Sequence, residues 1–238
     1  MMIDKTMGKL YLCSFVLALL LQEGVAQNLV FKADNNPKLT PGQSLTTTLS
    51  VIPSALLVIT NHEVGHTFIA RISGDRSASF KLRGSLPSGG TCFGCSFYDH
   101  TVLSRFENTL VPAGGFLFSQ GLALGANALL KNVYMPKGVQ RFTALTYLLA
   151  KFDMSFQSLQ GVVRINDFDT MKRTGIPSGT DVNALAFFAS NGARNSYNTI
   201  VASMVILSIV DIYLSRKSIA RNWKILMNKG YYHKPDNR

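Results

Sequence analysis

The sequence has few of the residues that supply charge and bind metals in soluble enzymes. Only 16% of its 238 residues are charged, and it contains four histidines, three cysteines and one tryptophan. Hydrophobic residues make up 47% and fall in blocks, so the chain is richer in apolar stretches than a typical soluble protein. We find no internal repeat and no low-complexity tract. The composition favours a small membrane protein with one sizeable domain.

The charged residues are unbalanced and give a net charge of +11. Such an excess suggests anionic partners, and nucleic acid is one candidate. The basic residues fall mostly in loops and after Leu214, where membrane proteins carry the charges that orient them. We therefore expect a lipid bilayer as the partner and no nucleic acid.

Two segments precede the predicted membrane domain. Residues 1–26 contain an apolar run from Leu10 to Leu21 and small residues near Ala26, which is typical of a signal peptide or an N-terminal anchor. Residues 27–49 are polar and indicate an extramembrane linker. This leader predicts an integral membrane protein that is reached through the secretory or export pathway.

Four apolar segments between residues 50 and 215 predict membrane-spanning helices. Their lengths are close to what crosses a bilayer, and they cover residues 50–72, 110–130, 142–163 and 197–214. Lys151 and Asp153 interrupt the third segment, so an amphipathic or interior-facing helix is an open alternative there. We expect an all-α, multi-span transmembrane helical bundle of about four to five helices. A basic tail follows over residues 216–238.

The first apolar segment contains the one spacing of metal-binding residues with a clear chemical meaning. His62, Glu63 and His66 form a His-Glu-x-x-His pattern. On a helix the two histidines lie one turn apart on one face and can bind one Zn²⁺, and the glutamate can take a proton from water. Chance rarely places this pattern in a chain that contains only four histidines and three glutamates. These side chains are also costly inside an apolar segment unless they bind something.

A hydrolytic zinc site normally has three protein ligands and one open position for water. The third histidine of elongated soluble motifs is absent, because Ile72 stands at its position. Aspartates lie beside apolar segments later in the chain, and we expect Asp167, or alternatively Asp169, to be the third ligand. A solvated turn or a helix cap is the rival interpretation for both. Asp181 follows Ser-Gly-Thr, and helix capping explains it better.

Cys92 and Cys95 lie near the centre of the longest polar interval, residues 73–107. Two cysteines at this spacing can bind metal, do redox chemistry or close a small disulfide, and one pair alone does not distinguish these roles. If the loop lies outside the cytoplasm, we expect a structural disulfide between them.

These motifs resemble the site-2 protease type of membrane-embedded zinc metallopeptidases, particularly their short M50B-like branch. The resemblance rests on the His-Glu-x-x-His segment and on a later glycine-rich apolar segment with Ala-Gly-Gly at residues 113–115. It also rests on the downstream aspartates, which are followed by Thr-Asp-Val-Asn-Ala-Leu-Ala at residues 180–186.

The resemblance implies a role for each residue of the first motif. His62 and His66 would be zinc ligands, Glu63 would be the catalytic base, and an aspartate near residues 167–169 would be the third ligand. It also implies an endopeptidase that uses a zinc-activated water to cleave peptide bonds in transmembrane or juxtamembrane protein segments.

Two other interpretations stay open. The chain can be a non-catalytic integral membrane protein, a scaffold or partner binder, with a structural or vestigial metal site. It can also be a soluble secreted zinc protease whose apolar blocks form a core. Three ligands with an open position favour an enzyme, and a closed sphere of four ligands favours a structural metal.

Overall fold

The computed structural model describes residues 29–33, 40–85, 91–177 and 180–233, without the side chains of residues 43, 46, 85 and 91–93. The predicted leader at residues 1–26 lies outside the described residues. Within them the chain is mostly helical, with six α-helices, one 3-10 turn and four short strands.

The helices follow the predicted apolar segments. They are α1 (Pro41–Ser73), α2 (Arg105–Asn132), α3 (Lys137–Val163), α4 (Phe168–Thr174), α5 (Asp181–Ser190) and α6 (Arg194–Leu226). The strands are β1 (Val30–Ala33), β2 (Ser79–Ser85), β3 (Thr91–Phe97) and β4 (Gly230–His233). The four predicted apolar segments lie in α1, α2, α3 and α6, so their helical character is confirmed.

The strands are a departure from the all-α prediction. β2 and β3 form an antiparallel pair with Lys81 opposite Cys95, and β1 and β4 form another with Val30 opposite His233. These segments are short and partly polar, and pairing between strands satisfies their backbone N–H and C=O groups. The fold is therefore mostly helical with two small two-stranded sheets.

The predicted linker is shorter than expected, because α1 begins at Pro41 and residues 41–49 are helical. Proline is favoured at the first helical position, where the missing N–H would have no partner inside the helix. At the other end of the chain, α6 continues to Leu226 and includes the first part of the predicted basic tail.

Two helices of the described chain, α2 and α6, are long and apolar enough to cross a membrane by length and composition. The most apolar part of α6 is only 11% buried, compared with 39% in α2. α1 and α3 do not meet the same criterion. Membrane association therefore has support from two helices, and the prediction of four to five spans is only partly supported.

The chain divides into two compact units. The first takes its described residues from Met1–Val58, Gln120–Lys151 and Leu214–Arg238. It contains the pair of strands β1 and β4 and two apolar clusters. One cluster includes Leu130, Ala144, Ile225 and Tyr231. The other includes Val58, Ala123, Tyr147 and Leu148.

The second unit takes its described residues from Ile59–Ser119 and Phe152–Tyr213. Its core packs aromatic and aliphatic side chains of α2, α4, α5 and α6, which include Phe116, Phe168, Met171, Val182, Tyr197 and Val201. The His-Glu-x-x-His segment and the candidate aspartates all belong to this unit, so the candidate site lies within one compact body.

Candidate metal centre

The two histidines lie on one face of α1, as their spacing predicts. The centroids of the His62 and His66 rings are 4.6 Å apart, and each residue is 5% exposed. The ligand-type atoms of His62, Glu63 and His66 lie within 4.8 Å of one another. The motif therefore forms a compact group of donors that can hold a metal ion.

Glycines create the space around these rings. A Cβ atom on Gly115 of α2 would lie 2.5 Å from His62 Nε2 and 2.6 Å from His66 Nε2. A Cβ atom on the neighbouring Gly114 would lie 2.6 Å from the carbonyl oxygen of Gly65 on α1. Because these positions carry no side chain, α1 and α2 approach closely and the imidazoles fit between them.

The outer nitrogen of each imidazole is hydrogen-bonded to an oxygen. His62 Nδ1 donates to Asp153 Oδ2 at 2.7 Å and lies 3.1 Å from Ser119 Oγ, which itself donates to Asp153 Oδ2 at 2.8 Å. His66 Nδ1 donates to the Val111 carbonyl oxygen at 2.8 Å. Because carbonyl and carboxylate oxygens only accept, each Nδ1 carries a proton, and a metal ion would bind at each Nε2 in place of any proton there.

Asp181 completes the group of donors. Its Oδ2 lies 2.7 Å from His62 Nε2 and 3.3 Å from His66 Nε2. Three electron-rich atoms thus converge, which is unfavourable unless a cation or additional protons lie among them. Tetrahedral zinc bonds of about 2.0–2.1 Å place two ligand atoms about 3.3 Å apart. The distance from Asp181 Oδ2 to His66 Nε2 is 3.3 Å and already fits. The 2.7 Å distance from Asp181 Oδ2 to His62 Nε2 would have to increase slightly when zinc binds.

The prediction of Asp167 or Asp169 as the third ligand needs correction. The Asp169 side chain is 71% exposed and pairs with Arg194, and Asp167 lies at the end of the 3-10 turn before α4. In the part of the chain that the structure describes, the carboxylates that contact the histidine rings belong to Asp153 and Asp181. Proximity to an apolar segment in sequence does not determine which side chains turn towards α1.

The interpretation of Asp181 as a helix cap is also wrong. Thr180 is the N-cap of α5: its side chain accepts from the Asn183 backbone N–H, and the Asn183 side chain accepts from the Thr180 backbone N–H. The buried Asn183 amide further donates to the Gly161 carbonyl at 3.1 Å and to the Tyr197 hydroxyl at 2.5 Å. Because this capping box already satisfies the helix terminus, the Asp181 carboxylate can face the histidines.

The electrostatics of Asp181 agree with this placement. Without a metal, burial alone would raise the pKa of its carboxyl group, but the charge of a protonated His66 and the hydrogen bonds donated by both histidines outweigh burial and hold that pKa well below its ordinary value. Asp181 therefore remains an anionic oxygen donor, which is the form that binds a metal.

Strand β3 holds the glutamate of the motif. Ser96 Oγ donates to Glu63 Oε2 at 2.6 Å and lies 3.0 Å from the Glu63 carbonyl oxygen. A Cβ atom on Gly94 would lie 3.2 Å from Glu63 Oε1 and 2.5 Å from Ile59 Cγ2. The strand therefore packs directly on α1, and Glu63 is positioned by a contact separate from the three converging donors.

Sequence reasoning missed Asp153, Asp181 and Ser96 as site residues. Asp153 had a usable signal, because an ionisable residue inside an apolar segment usually faces a partner. Asp181 had a weaker one: the Thr-x-x-Asn box at residues 180–183 leaves Asp181 unneeded for capping. Ser96 had none, since its role depends on where β3 meets α1.

The cysteine prediction is only partly resolved. Cys95 is disulfide-bonded. The side chain of Cys92 lies outside the described residues, so the pairing of Cys92 with Cys95 stays a prediction. In the described backbone both positions lie in β3.

No family model, curated protein or solved structure matches this chain. The resemblance to site-2 proteases therefore stays a hypothesis, and the geometry of the site itself provides the support for a function.

Proposed function

We propose that this chain is a membrane-embedded zinc metalloprotease that cleaves peptide bonds in transmembrane or juxtamembrane segments. The observation that carries the proposal is the convergence of His62 Nε2, His66 Nε2 and Asp181 Oδ2 beside a glutamate that is held separately. These donors would be the zinc ligands. Three protein ligands leave one position open, which is the arrangement of catalytic rather than structural zinc.

The residues of the site divide the chemistry between them. When bound, zinc supplies a Lewis acid that polarises a carbonyl oxygen and lowers the pKa of a water molecule to about 7. Glu63 takes a proton from the water while the water oxygen bonds to the peptide carbonyl carbon. Glu63 then gives this proton to the amide nitrogen as the carbon–nitrogen bond breaks, so the products are a carboxylic acid and an amine.

Ser96 keeps Glu63 ready for this role. Its hydroxyl donates to Oε2 at 2.6 Å, and this hydrogen bond fixes the orientation of the carboxylate. The second oxygen, Oε1, lies next to Gly94, where a Cβ atom would come within 3.2 Å of it. The absence of a side chain at position 94 therefore leaves Oε1 uncovered on that side. The base is therefore fixed by one oxygen and can react through the other.

Exposed apolar surface supports a location in the membrane. Large hydrophobic side chains are exposed on α6 at Ile206, Leu207, Ile209, Val210, Tyr213 and Leu214. The first part of α1 exposes another set at Leu45, Leu49, Val51, Ile52, Leu56 and Leu57. Soluble monomers rarely expose apolar surface in contiguous runs of this size, so we infer that lipid covers these helices.

A non-catalytic membrane protein with a structural or vestigial metal site is the second candidate. The observation that favours it is the 2.7 Å contact between His62 and Asp181, which is a normal hydrogen-bond length. If His62 carries an additional proton, this contact can join α1 to α5 without a metal.

Metal content and peptide turnover separate the two candidates. The detergent-purified protein is analysed for zinc and incubated with fluorogenic peptides that carry an apolar segment of about 20 residues interrupted by glycine and proline. Such breakers expose the peptide carbonyls that an intact helix would keep hydrogen-bonded. We expect one zinc per chain and measurable turnover in the wild type.

Three variants test the roles of the residues. Glu63→Gln should keep zinc and lose turnover, and His66→Ala should lose both. Glu107→Gln is the matched control, because Glu107 binds the Ser104 backbone N–H at the start of α2 and should keep both. A wild type without stoichiometric zinc overturns the zinc site. Zinc without turnover above that of Glu63→Gln overturns the protease and supports the structural site.

A further inference from the structure

The imidazoles of His62 and His66 are supported from behind in different ways. His66 Nδ1 donates to the Val111 carbonyl oxygen at 2.8 Å, and the backbone of α2 fixes that oxygen. His62 Nδ1 donates at 2.7 Å to a side-chain oxygen, Oδ2 of Asp153. A side-chain carboxylate can rotate about two bonds, whereas a carbonyl inside a helix cannot. The orientation of the His62 ring therefore depends on what holds Asp153.

Ser119 of α2 contacts both members of this pair. Its Oγ donates to Asp153 Oδ2 at 2.8 Å and lies 3.1 Å from His62 Nδ1. The same carboxylate oxygen thus accepts from the ring and from the hydroxyl. The three residues come from α1, α2 and α3, and all of them belong to the second compact unit. The hydroxyl therefore connects three helices at the back of the site.

Ser119 is more completely buried than the carboxylate that it binds. It is 1% exposed, so water does not compete for its hydroxyl. The Asp153 side chain is 16% exposed, and without the hydroxyl its carboxylate could turn towards solvent and leave the ring. Breaking this bond would also leave a buried hydroxyl short of an acceptor, which is unfavourable. Ser119 therefore restricts Asp153 to the rotamer that faces His62.

The place of Ser119 on α2 follows from the side of that helix that meets the rings. Val111, Gly115 and Ser119 are spaced four residues apart, so they follow one side of the helix. The Val111 carbonyl accepts from His66, and a Cβ atom on Gly115 would lie 2.5 Å from His62 Nε2. Ser119 therefore lies one turn beyond the glycine that admits the imidazoles, at a point where a side chain fits.

We propose that Ser119 is a positioning residue for the metal: its hydroxyl holds the Asp153 carboxylate behind His62 and so keeps Nε2 directed at the ion. This inference rests on the zinc site of the proposed function. In this role Ser119 contacts neither the metal nor the substrate and acts through Asp153. Partners that orient metal-binding histidines strengthen metal binding. Because Ser119→Ala removes one hydrogen bond and leaves the carboxylate, we expect the zinc affinity to fall about 3- to 10-fold.

Chelator competition with the detergent-purified protein measures this loss. Ser158→Ala is the matched control and should keep the wild-type affinity, because Ser158 lies fully buried on α3 and donates to the Met154 carbonyl oxygen at 2.7 Å. In an Asp153→Ala background, Ser119→Ala should cause no further loss, because the group through which the hydroxyl acts is gone. Bound Co²⁺ should keep its tetrahedral visible spectrum in Ser119→Ala, because all three ligands remain.

The outcomes separate the role of Ser119 from the zinc site itself. Equal zinc affinity in Ser119→Ala and wild type overturns the role of Ser119 and leaves the zinc site standing. An equal loss in Ser158→Ala, or in the Asp153→Ala background, shows a general effect of removing a buried hydroxyl and has the same meaning. A changed cobalt spectrum or an unfolded Ser119→Ala protein shows a wider structural role and overturns the inference. Absence of stoichiometric zinc in the wild type overturns the zinc site, and the role of Ser119 falls with it.

Discussion

Asp153 of α3 accepts the Nδ1 proton of His62 on α1 at 2.7 Å. This contact fixes the orientation of the imidazole and turns its Nε2 towards Asp181. A carboxylate behind a histidine ligand also makes the ring a stronger donor to a metal. Asp153 is thus a positioning residue, and it explains why a carboxylate is placed inside an otherwise apolar helix.

Replacement of Asp153 by asparagine should weaken zinc binding. The amide oxygen can still accept from His62 Nδ1, but the negative charge is lost, so we expect the zinc affinity to fall about 10- to 100-fold. Competition with a chelator of known affinity measures the change. Asp169→Asn is the control, because the Asp169 side chain is exposed and pairs with Arg194. Equal zinc affinity in Asp153→Asn and wild type would contradict the role of Asp153.

The identity of the third ligand can be tested among the aspartates themselves. Asp181→Asn removes the charged oxygen that lies against both imidazoles, so we expect loss of stoichiometric zinc. Asp167→Asn and Asp169→Asn should keep one zinc per chain. Metal analysis after removal of free zinc measures this. Retention of zinc in Asp181→Asn, or its loss in Asp167→Asn, would refute the assignment.

A methyl group at Gly115 should block the site. Its Cβ would lie 2.5 Å from His62 Nε2, closer than two such atoms can approach, so we expect Gly115→Ala to lose zinc. Gly125→Ala on the same helix is the matched control, since no atom lies within 4 Å of its Cβ. Alanine is favoured over glycine in a helix by about 1 kcal/mol, so this control should keep zinc and have a Tm no lower than that of the wild type. A Gly115→Ala protein with normal zinc content would exclude the close contact.

The loop after α1 should make the protein less stable in acid. Burial alone would raise the pKa of Asp75, but hydrogen bonds from Ser77 and from the Asp99 backbone outweigh it and lower that pKa. The ionised Asp75 carboxylate therefore stabilises the folded state fully at pH values above its pKa in the unfolded chain, about 3.9. This stabilisation is lost as the pH falls through the lower pKa that Asp75 has in the folded protein.

Thermal melting between pH 7 and pH 3 tests whether Asp75 makes the protein less stable in acid. The Tm of the wild type should fall towards pH 3, and Asp75→Asn should lower the Tm at pH 7 and flatten the fall in acid. If the two proteins lose Tm in parallel as the pH falls, the carboxylate does not carry the effect.

Local pattern was enough to predict several features of the chain. The apolar segments at residues 50–72, 110–130, 142–163 and 197–214 predict helices that the structure contains, because helix formation follows length and local composition. The spacing of His62 and His66 likewise places both rings on one face, since i and i+4 positions coincide on any α-helix. Neither prediction depends on the rest of the fold.

Contacts between distant segments could not be predicted in the same way. The carboxylate of Asp181 lies 119 positions from His62 and reaches it at 2.7 Å, whereas Asp169, equally close to an apolar segment, turns to Arg194. Asp181 faces the histidines because the Thr180 cap and the buried hydrogen bonds of the Asn183 side chain orient the start of α5. Ser96 reaches Glu63 only because β3 packs on α1.

The sequence by itself determined the helices, the two-histidine face and the glutamate beside it, because these depend on residues a few positions apart. Tertiary structure alone decided which carboxylates meet the imidazoles and how Glu63 is held, because packing between distant segments sets those distances. Glycines 65, 114 and 115 connect the two levels. The sequence shows these glycines, but only the structure shows that they allow α1 and α2 to pack closely around the imidazoles.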